Sequence, residues 1–174
     1  PRRVLEIGGH IGTASLVIGS ALKINGFGRL VTLEPNEKYF QRLSHYIDMA
    51  GLSGEVQPLC TASTDTRAMT ELASEGKFQL VFVDALHNYD AVLADLELSF
   101  SLLDENGYMI LHDTSVLAAD YDSTKRGGVR RAVLEFCLRR TEATSVFYEY
   151  PLWLNPTGAA LLCKQSARRL LAAT

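Results

Sequence analysis

Short apolar runs alternate with amphipathic stretches through most of this chain, and that alternation limits the fold more than any other feature. Val4–Ile7, Leu30–Leu33, Val56–Cys60, Leu80–Val83 and Tyr108–Leu111 read as strands. Between them Thr13–Ile24, Asn36–Ala50, Thr64–Ser74 and Tyr89–Leu103 read as helices, stopped by Asn25-Gly26, Gly51, Gly76 and Asn106-Gly107. Glycine and asparagine end helices because they accept the left-handed backbone that closes the last turn. Asn36 is placed to cap its helix at the other end. Leu80–Val83 is apolar at four successive positions, as in a central strand covered on both faces. Strands separated by helices pair in parallel, and right-handed crossovers lay those helices over both faces. The expectation is a single α/β domain over residues 1–174 with a doubly wound sheet.

Beyond Leu111 the texture changes. Ser115–Gly128 has no clear period and is the longest irregular stretch, which suggests a functional loop. Val129–Arg140 is helical again. Ser145–Tyr150 and Ala159–Cys163 are two further strands, joined by Pro151–Gly158 with its Asn155-Pro156 turn signal. That connection leaves no room for a helix, so the two strands form an antiparallel hairpin at one edge of the sheet.

Composition removes several classes of function. A formal charge of -3 argues against a nucleic-acid partner held by bulk electrostatics. Lys125, Arg126, Arg130, Arg131, Arg139 and Arg140 read as the polar face of one helix. The cysteines, Cys60, Cys137 and Cys163, are odd in number and lack C-x-x-C spacing. A disulfide framework or structural zinc site is not expected, and a reducing, cytoplasmic setting is. Each cysteine lies in an apolar stretch and reads as a small buried hydrophobe. No apolar run approaches the roughly 18 residues of a membrane span. The chain opens at Pro1-Arg2-Arg3 without a methionine or signal peptide, so segments upstream are expected to be missing.

The chemistry starts at Val4-Leu5-Glu6-Ile7-Gly8-Gly9-His10-Ile11-Gly12-Thr13-Ala14-Ser15. A glycine-rich turn between a first strand and a first helix lets backbone approach a ligand closely. The spacing of Gly8, Gly9 and Gly12 is wrong for the dinucleotide turn G-x-G-x-x-G. Glu6, before the glycines, would repel a pyrophosphate and suits a ligand with an amino group and a sulfonium. Glu34 ends the second strand roughly 20 residues beyond the turn, where a carboxylate can accept both hydroxyls of a ribose. Ser63, with Asp65 in reserve, stands beyond strand three; either could equally cap the next helix.

Glu6-x-Gly8-x-x-x-Gly12 resembles the first motif of the class I S-adenosylmethionine (SAM)-dependent methyltransferases. His10 stands where the commonest form has a glycine, as happens in their metal-dependent O-methyltransferase branch. The resemblance implies a Rossmann-like seven-stranded sheet of order 3-2-1-4-5-7-6, with strand seven antiparallel. It also implies that Glu6, Gly8, Gly9, His10, Gly12, Glu34 and Ser63 line the SAM site.

Strand four runs into Asp84-Ala85-Leu86-His87-Asn88-Tyr89, and strand five into His112-Asp113-Thr114. Acids at strand C-termini lie where open α/β sheets bind ligands. Two carboxylates brought together need a cation or a shared proton, and a hard divalent ion meets that need. Asp-x-x-His-x-Tyr followed by His-Asp-Thr resembles a metal-dependent subgroup of small-molecule O-methyltransferases, over Arg3 to Lys164. The resemblance implies that Asp84, which also borders the cofactor, and Asp113 bind a divalent metal such as Mg, and that His87 is the general base. His112-Asp113-Thr114 departs from the Glu-Asp or Asp-Asn of relatives: either His112 replaces a carboxylate or Thr114 replaces an amide. As a ligand, His112 would favour zinc, iron or nickel over magnesium. Tyr89, Tyr108 and Tyr121 read as packing residues.

The implied reaction is direct transfer of the SAM methyl group to a hydroxyl oxygen of a small molecule, in a catalyst with no membrane or nucleic-acid partner and with room for a homo-oligomer. The alternatives are a catalytically silent SAM-binding module and a nicotinamide-dependent Rossmann enzyme; the acid before the glycines and the terminal hairpin weigh against the latter.

Overall fold

The computed structural model of the chain describes residues 1–149 and 157–165. The elements in order are β1 (Arg3–Ile7), α1 (Thr13–Asn25), β2 (Arg29–Leu33), α2 (Glu37–Met49), β3 (Val56–Leu59), α3 (Thr66–Ser74) and β4 (Phe78–Val83). They continue as α4 (Tyr89–Leu102), β5 (Leu103–His112), a 3-10 turn (Leu117–Tyr121), α5 (Gly128–Arg139), β6 (Ala143–Tyr148) and β7 (Ala159–Lys164). The seven strands form one sheet in the order β3-β2-β1-β4-β5-β7-β6, as expected. The chain divides into two compact units, Pro1–Val81 and Phe82–Thr174.

In the first unit β1 pairs with β2, and β2 with β3, all in parallel. The apolar strand residues Val4, Leu30 and Val56 pack with Leu22 of α1, Leu43 and Ile47 of α2, and Leu52 into a hydrophobic core. The helices start where the sequence places their caps. The Asn36 side chain accepts from the N–H groups of Lys38 and Tyr39. Asp65, not Ser63, caps α3 by accepting from Arg67 and Ala68, which holds its carboxyl below the usual range.

In the second unit β7 is antiparallel to both neighbours, with Ile110 opposite Leu161 and Val146 opposite Leu161 on the other side. The hairpin is thus present, with β7 inserted between β5 and β6; most of its Pro151–Gly158 turn lies outside the described residues. Phe100 of α4 meets Phe136 of α5 edge to face at 5.2 Å, and both are buried. Of the basic residues expected on one helix face, Arg130, Arg131 and Arg139 lie on α5, whereas Lys125 and Arg126 precede it and Arg140 follows it, because the helix runs only from Gly128 to Arg139. Arg126 pairs with Asp90, Arg130 with Glu149, Arg131 with Glu135, and Arg140 with Glu97.

Three further expectations need correction. The fifth strand begins at Leu103 rather than Tyr108, so Asn106-Gly107 lies inside it instead of ending α4. Leu103 is buried and extended, with φ -72° and ψ 138°, and this stops the helix without a glycine. Asn106 takes φ 63° within the strand, and a Cβ on Gly107 would fall 2.8 Å from Leu103 Cγ. Cys60 is exposed rather than buried, because β3 ends at Leu59 and the thiol turns out to Glu37 Oε2, 3.1 Å away. Tyr108 and Tyr121 are not packing residues, being 47% and 43% exposed, whereas Tyr89 is buried as expected.

Gly19 shows how tightly α1 lies on the first-unit core. It is buried, and a Cβ there would collide with Val56 Cγ2 and come within 3.3 Å of Leu52 Cδ1. Alanine would gain about 1 kcal/mol of helix propensity in an open helix. Here overpacking should cost about 1–3 kcal/mol and dominate. Gly19→Ala is therefore expected to lower the urea midpoint with an unchanged m-value; a raised midpoint would show that the helix shifts to make room.

Candidate functional site

The glycine turn belongs to the first unit. Ile7 ends β1, and the N–H groups of Gly8 and Gly9 both donate to the Leu33 carbonyl, at 3.1 and 2.9 Å. Gly8 and Gly12 have φ of 98° and 100°, conformations that side chains resist. Gly9 is needed for space: a Cβ would come 2.9 Å from Leu43 Cδ2.

Glu34 ties this turn to the end of β2. Its Oε2 accepts the His10 N–H and its Oε1 the Asn36 N–H, each at 2.8 Å. The carboxylate is 6% exposed, and each oxygen retains acceptor capacity beyond its backbone bond. Glu6 is fully buried and accepts from Ser15 Oγ of α1. His10 is exposed at φ 46°, its ring edge-on to Tyr39 with centroids 4.3 Å apart. Ser63 is half-buried in the irregular stretch before α3. Ser15 and Tyr39 were not anticipated from sequence. Nothing in their own spacing separates them from other helix residues; the partners Glu6 and His10 single them out.

The second unit holds the acids and histidines. Asp84, His87, His112, Asp113, Tyr121 and Thr157 line one open cleft. His87 Nε2 lies 2.7 Å from Asp113 Oδ2 and 3.7 Å from Asp84 Oδ1. His112 Nδ1 lies 3.2 Å from Asp113 Oδ1 and 3.6 Å from Asp84 Oδ1. The groups are close enough to pair as charges, but the contacts are poorly directed. Among the described residues His87 Nε2, His112 Nδ1, Asp113 Oδ1 and Thr114 Oγ1 are buried without an aligned hydrogen bond. Asp113 itself turns into the left-handed region, φ 56°, directly after β5.

One donor atom each from Asp84, His87 and Asp113 lies within 4.8 Å of the others, a set that fits a metal ion. His112, expected among the ligands, faces the same cleft but lies outside that triad. Tyr121, edge-on to the His87 ring at 5.9 Å, is a cleft residue that sequence periodicity could not find, because it sits in the aperiodic loop.

Charge in the cluster is strongly coupled. The Asp113 carboxylate, then Asp84, raises the His87 pKa to about 9 against desolvation. The same acids raise His112 to about 10. Burial works to raise Asp84 and Asp113, but the two imidazoles outweigh it and hold both well below the usual carboxylate range. Without a cation, both histidines are therefore imidazolium at neutral pH. In the unfolded chain His87 returns to 6.5. Its contribution to stability is then complete below pH 6.5 and is lost as pH rises through about 9. The aspartates contribute above 3.8 and lose that contribution as pH falls. In chelator, the melting-temperature gap between wild type and His87→Gln should be widest between these limits and close at alkaline pH. A gap independent of pH would mean that the imidazole stabilises by packing alone.

Comparison with known proteins places the chain in a family. The sequence matches the family described as methyltransferase domain over residues 5–114. A catechol O-methyltransferase from Niastella koreensis is 32% identical over 84 residues, 48% of this chain and 37% of that protein. The match thus spans little more than a third of that relative's length. The O-methyltransferase from Bacillus cereus in complex with SAH has a TM-score of 0.76 at 20% identity, covering 94% of this chain and 74% of that one. TomG from Streptomyces achromogenes, an O-methyltransferase involved in tomaymycin synthesis and solved with SAM, gives 0.77 at 24% identity, covering 95% and 74%. The structural likenesses establish the fold, and the family match covers more than half of the chain: it belongs to the methyltransferase domain family.

Proposed function

We propose that this domain transfers the methyl group of SAM to a hydroxyl oxygen of a small molecule, assisted by a divalent cation. The observation that carries the reading is the triad of Asp84, His87 and Asp113 donors in one open cleft. The Niastella relative is named for a hydroxyl-bearing acceptor, and TomG and the Bacillus enzyme are named O-methyltransferases, which supports oxygen as the acceptor atom. The unpaired cysteines suit a reducing cytoplasm.

In this reading Glu34 receives the ribose hydroxyls on the acceptor capacity left beyond its two backbone bonds. Gly8, Gly9 and Gly12 keep side chains away from the cofactor, and His10 and Ser63 border it. Glu6, buried against Ser15, fixes the start of α1 and adds negative potential toward a sulfonium ligand. Asp84 and Asp113 would hold the cation, with His112 beside them, and His87 would stay off the metal as the base that faces the acceptor. When bound, the cation lowers the pKa of the acceptor hydroxyl and offsets the carboxylates that keep His87 protonated. His87 can then take the acceptor proton, which an imidazolium of pKa about 9 could not. Ligation by His112 would favour a borderline metal over magnesium.

Two measurements test this. Titration calorimetry should show SAM binding weakened by about 1–3 kcal/mol in Glu34→Ala, through loss of a charge-assisted contact. Equal affinities would remove Glu34 from the cofactor site. Stripped protein assayed with magnesium, manganese, zinc or no metal should turn over hydroxyl acceptors only with metal, best with manganese or zinc. Asp113→Asn should abolish that turnover and keep SAM affinity. Full activity in chelator would sink the metal assignment.

A further inference from the structure

The chemistry above leaves one fully buried carboxylate unused. Asp122 has 0% exposure and lies between the 3-10 turn Leu117–Tyr121 and the start of α5. It accepts four hydrogen bonds. Oδ1 receives the Thr124 N–H at 2.9 Å and the Thr124 hydroxyl at 2.6 Å. Oδ2 receives the N–H groups of Arg126 at 3.0 Å and Gly128 at 2.9 Å. Burial pushes the carboxyl up, but these donors more than offset it and hold the pKa at about 2. Lys125, Gly127 and Gly128 all take left-handed φ, at 57°, 95° and 58°, so the chain curls around the carboxylate.

This knot is fastened to the segment that carries His87. Asn88 Oδ1 accepts from both the N–H and the hydroxyl of Ser123, at 3.2 and 3.0 Å. Arg126 pairs with Asp90 and lies over the Tyr89 ring, 4.5 Å from its centre. A Cβ on Gly128 would come 3.3 Å from the His87 carbonyl and 3.4 Å from Asp122 Cβ, so this backbone packs against both. The residue immediately before Asp122 is Tyr121, which lines the cleft edge-on to His87.

We infer that Asp122 is a positioning residue whose buried carboxylate locks the 122–128 loop and thereby sets Tyr121 as the wall against which the methyl acceptor is seated. The inference rests on the proposed function and deepens it: Tyr121 faces the acceptor, and neither residue takes part in cofactor binding or proton transfer. Asparagine is a strict test of the lock. A carboxamide offers one accepting oxygen, so in either orientation its NH2 faces a pair of donors that the carboxylate had satisfied.

The test uses the whole chain and whichever of a panel of phenols, catechols, sugars and aliphatic alcohols the wild type methylates fastest. Asp122→Asn should raise the acceptor KM about ten-fold with kcat within about two-fold, the pattern of lost binding without lost chemistry. Its SAM affinity should stay at the wild-type value. Trypsin should cut it faster at the exposed Lys125 and Arg126. Tyr121→Leu, which leaves the knot intact, should raise the acceptor KM similarly and keep wild-type trypsin resistance. If Asp122→Asn does not fold, Tyr121→Leu alone decides. An unchanged acceptor KM in the folded variants overturns the inference. So does a fall in kcat or SAM affinity in place of the KM effect. No turnover of any panel member by wild type overturns the proposed function, and this inference with it.

Discussion

A carboxylate taken out of water must be given donors or countercharge, and the architecture of both units turns on how that demand is met. Glu34 is supplied by two backbone N–H groups, and by accepting them it fastens the glycine turn to the end of β2. Asp122 is supplied by four donors within its own loop. Glu6 draws on a serine hydroxyl from the helix that the turn introduces. In each case burial of the charge, costly by several kcal/mol if unmet, becomes a constraint on backbone path.

Asp84 and Asp113 differ in kind. Their partners are imidazoles rather than fixed backbone N–H groups, and the contacts are close but misaligned. A backbone donor cannot leave its carboxylate, whereas an imidazolium can lose its proton. The first kind of pairing builds structure; the second can exchange charge with a ligand. Charge is balanced within the cleft without a cation only while both histidines are protonated, and this makes them unable to accept a proton at neutral pH. In the proposed reading a bound cation would take over that balancing charge and leave an imidazole free to accept a proton.

Much of the fold was legible because its signals are local. Short apolar runs, with the stop signals at Asn25-Gly26 and Gly51, placed α1, α2, β1 and β2 nearly to the residue, and Asn36 marked a cap that its side chain makes. The misreadings came where a local signal competed with burial. Asn106-Gly107 looked like a helix stop, but Leu103 ends α4 by turning extended into the core, and the pair became a left-handed step within β5. Cys60 looked buried because its neighbours are apolar, yet the strand ends one residue earlier. The strand order itself was implied by family resemblance; no pattern in the residues states it.

By itself the sequence determined the alternating elements, the positions of the glycines and the identity of the acids at the strand ends. Those depend on backbone conformations and spacings that neighbouring residues dictate. Only the tertiary structure decided which side chains meet. It brought His87 rather than His112 into the donor triad with Asp84 and Asp113. It turned Asp122 inward and Tyr121 toward His87, although both lie in a stretch with no readable period. Contacts between residues 26 or 34 positions apart are set by strand pairing and loop closure, and a one-dimensional pattern carries no record of them.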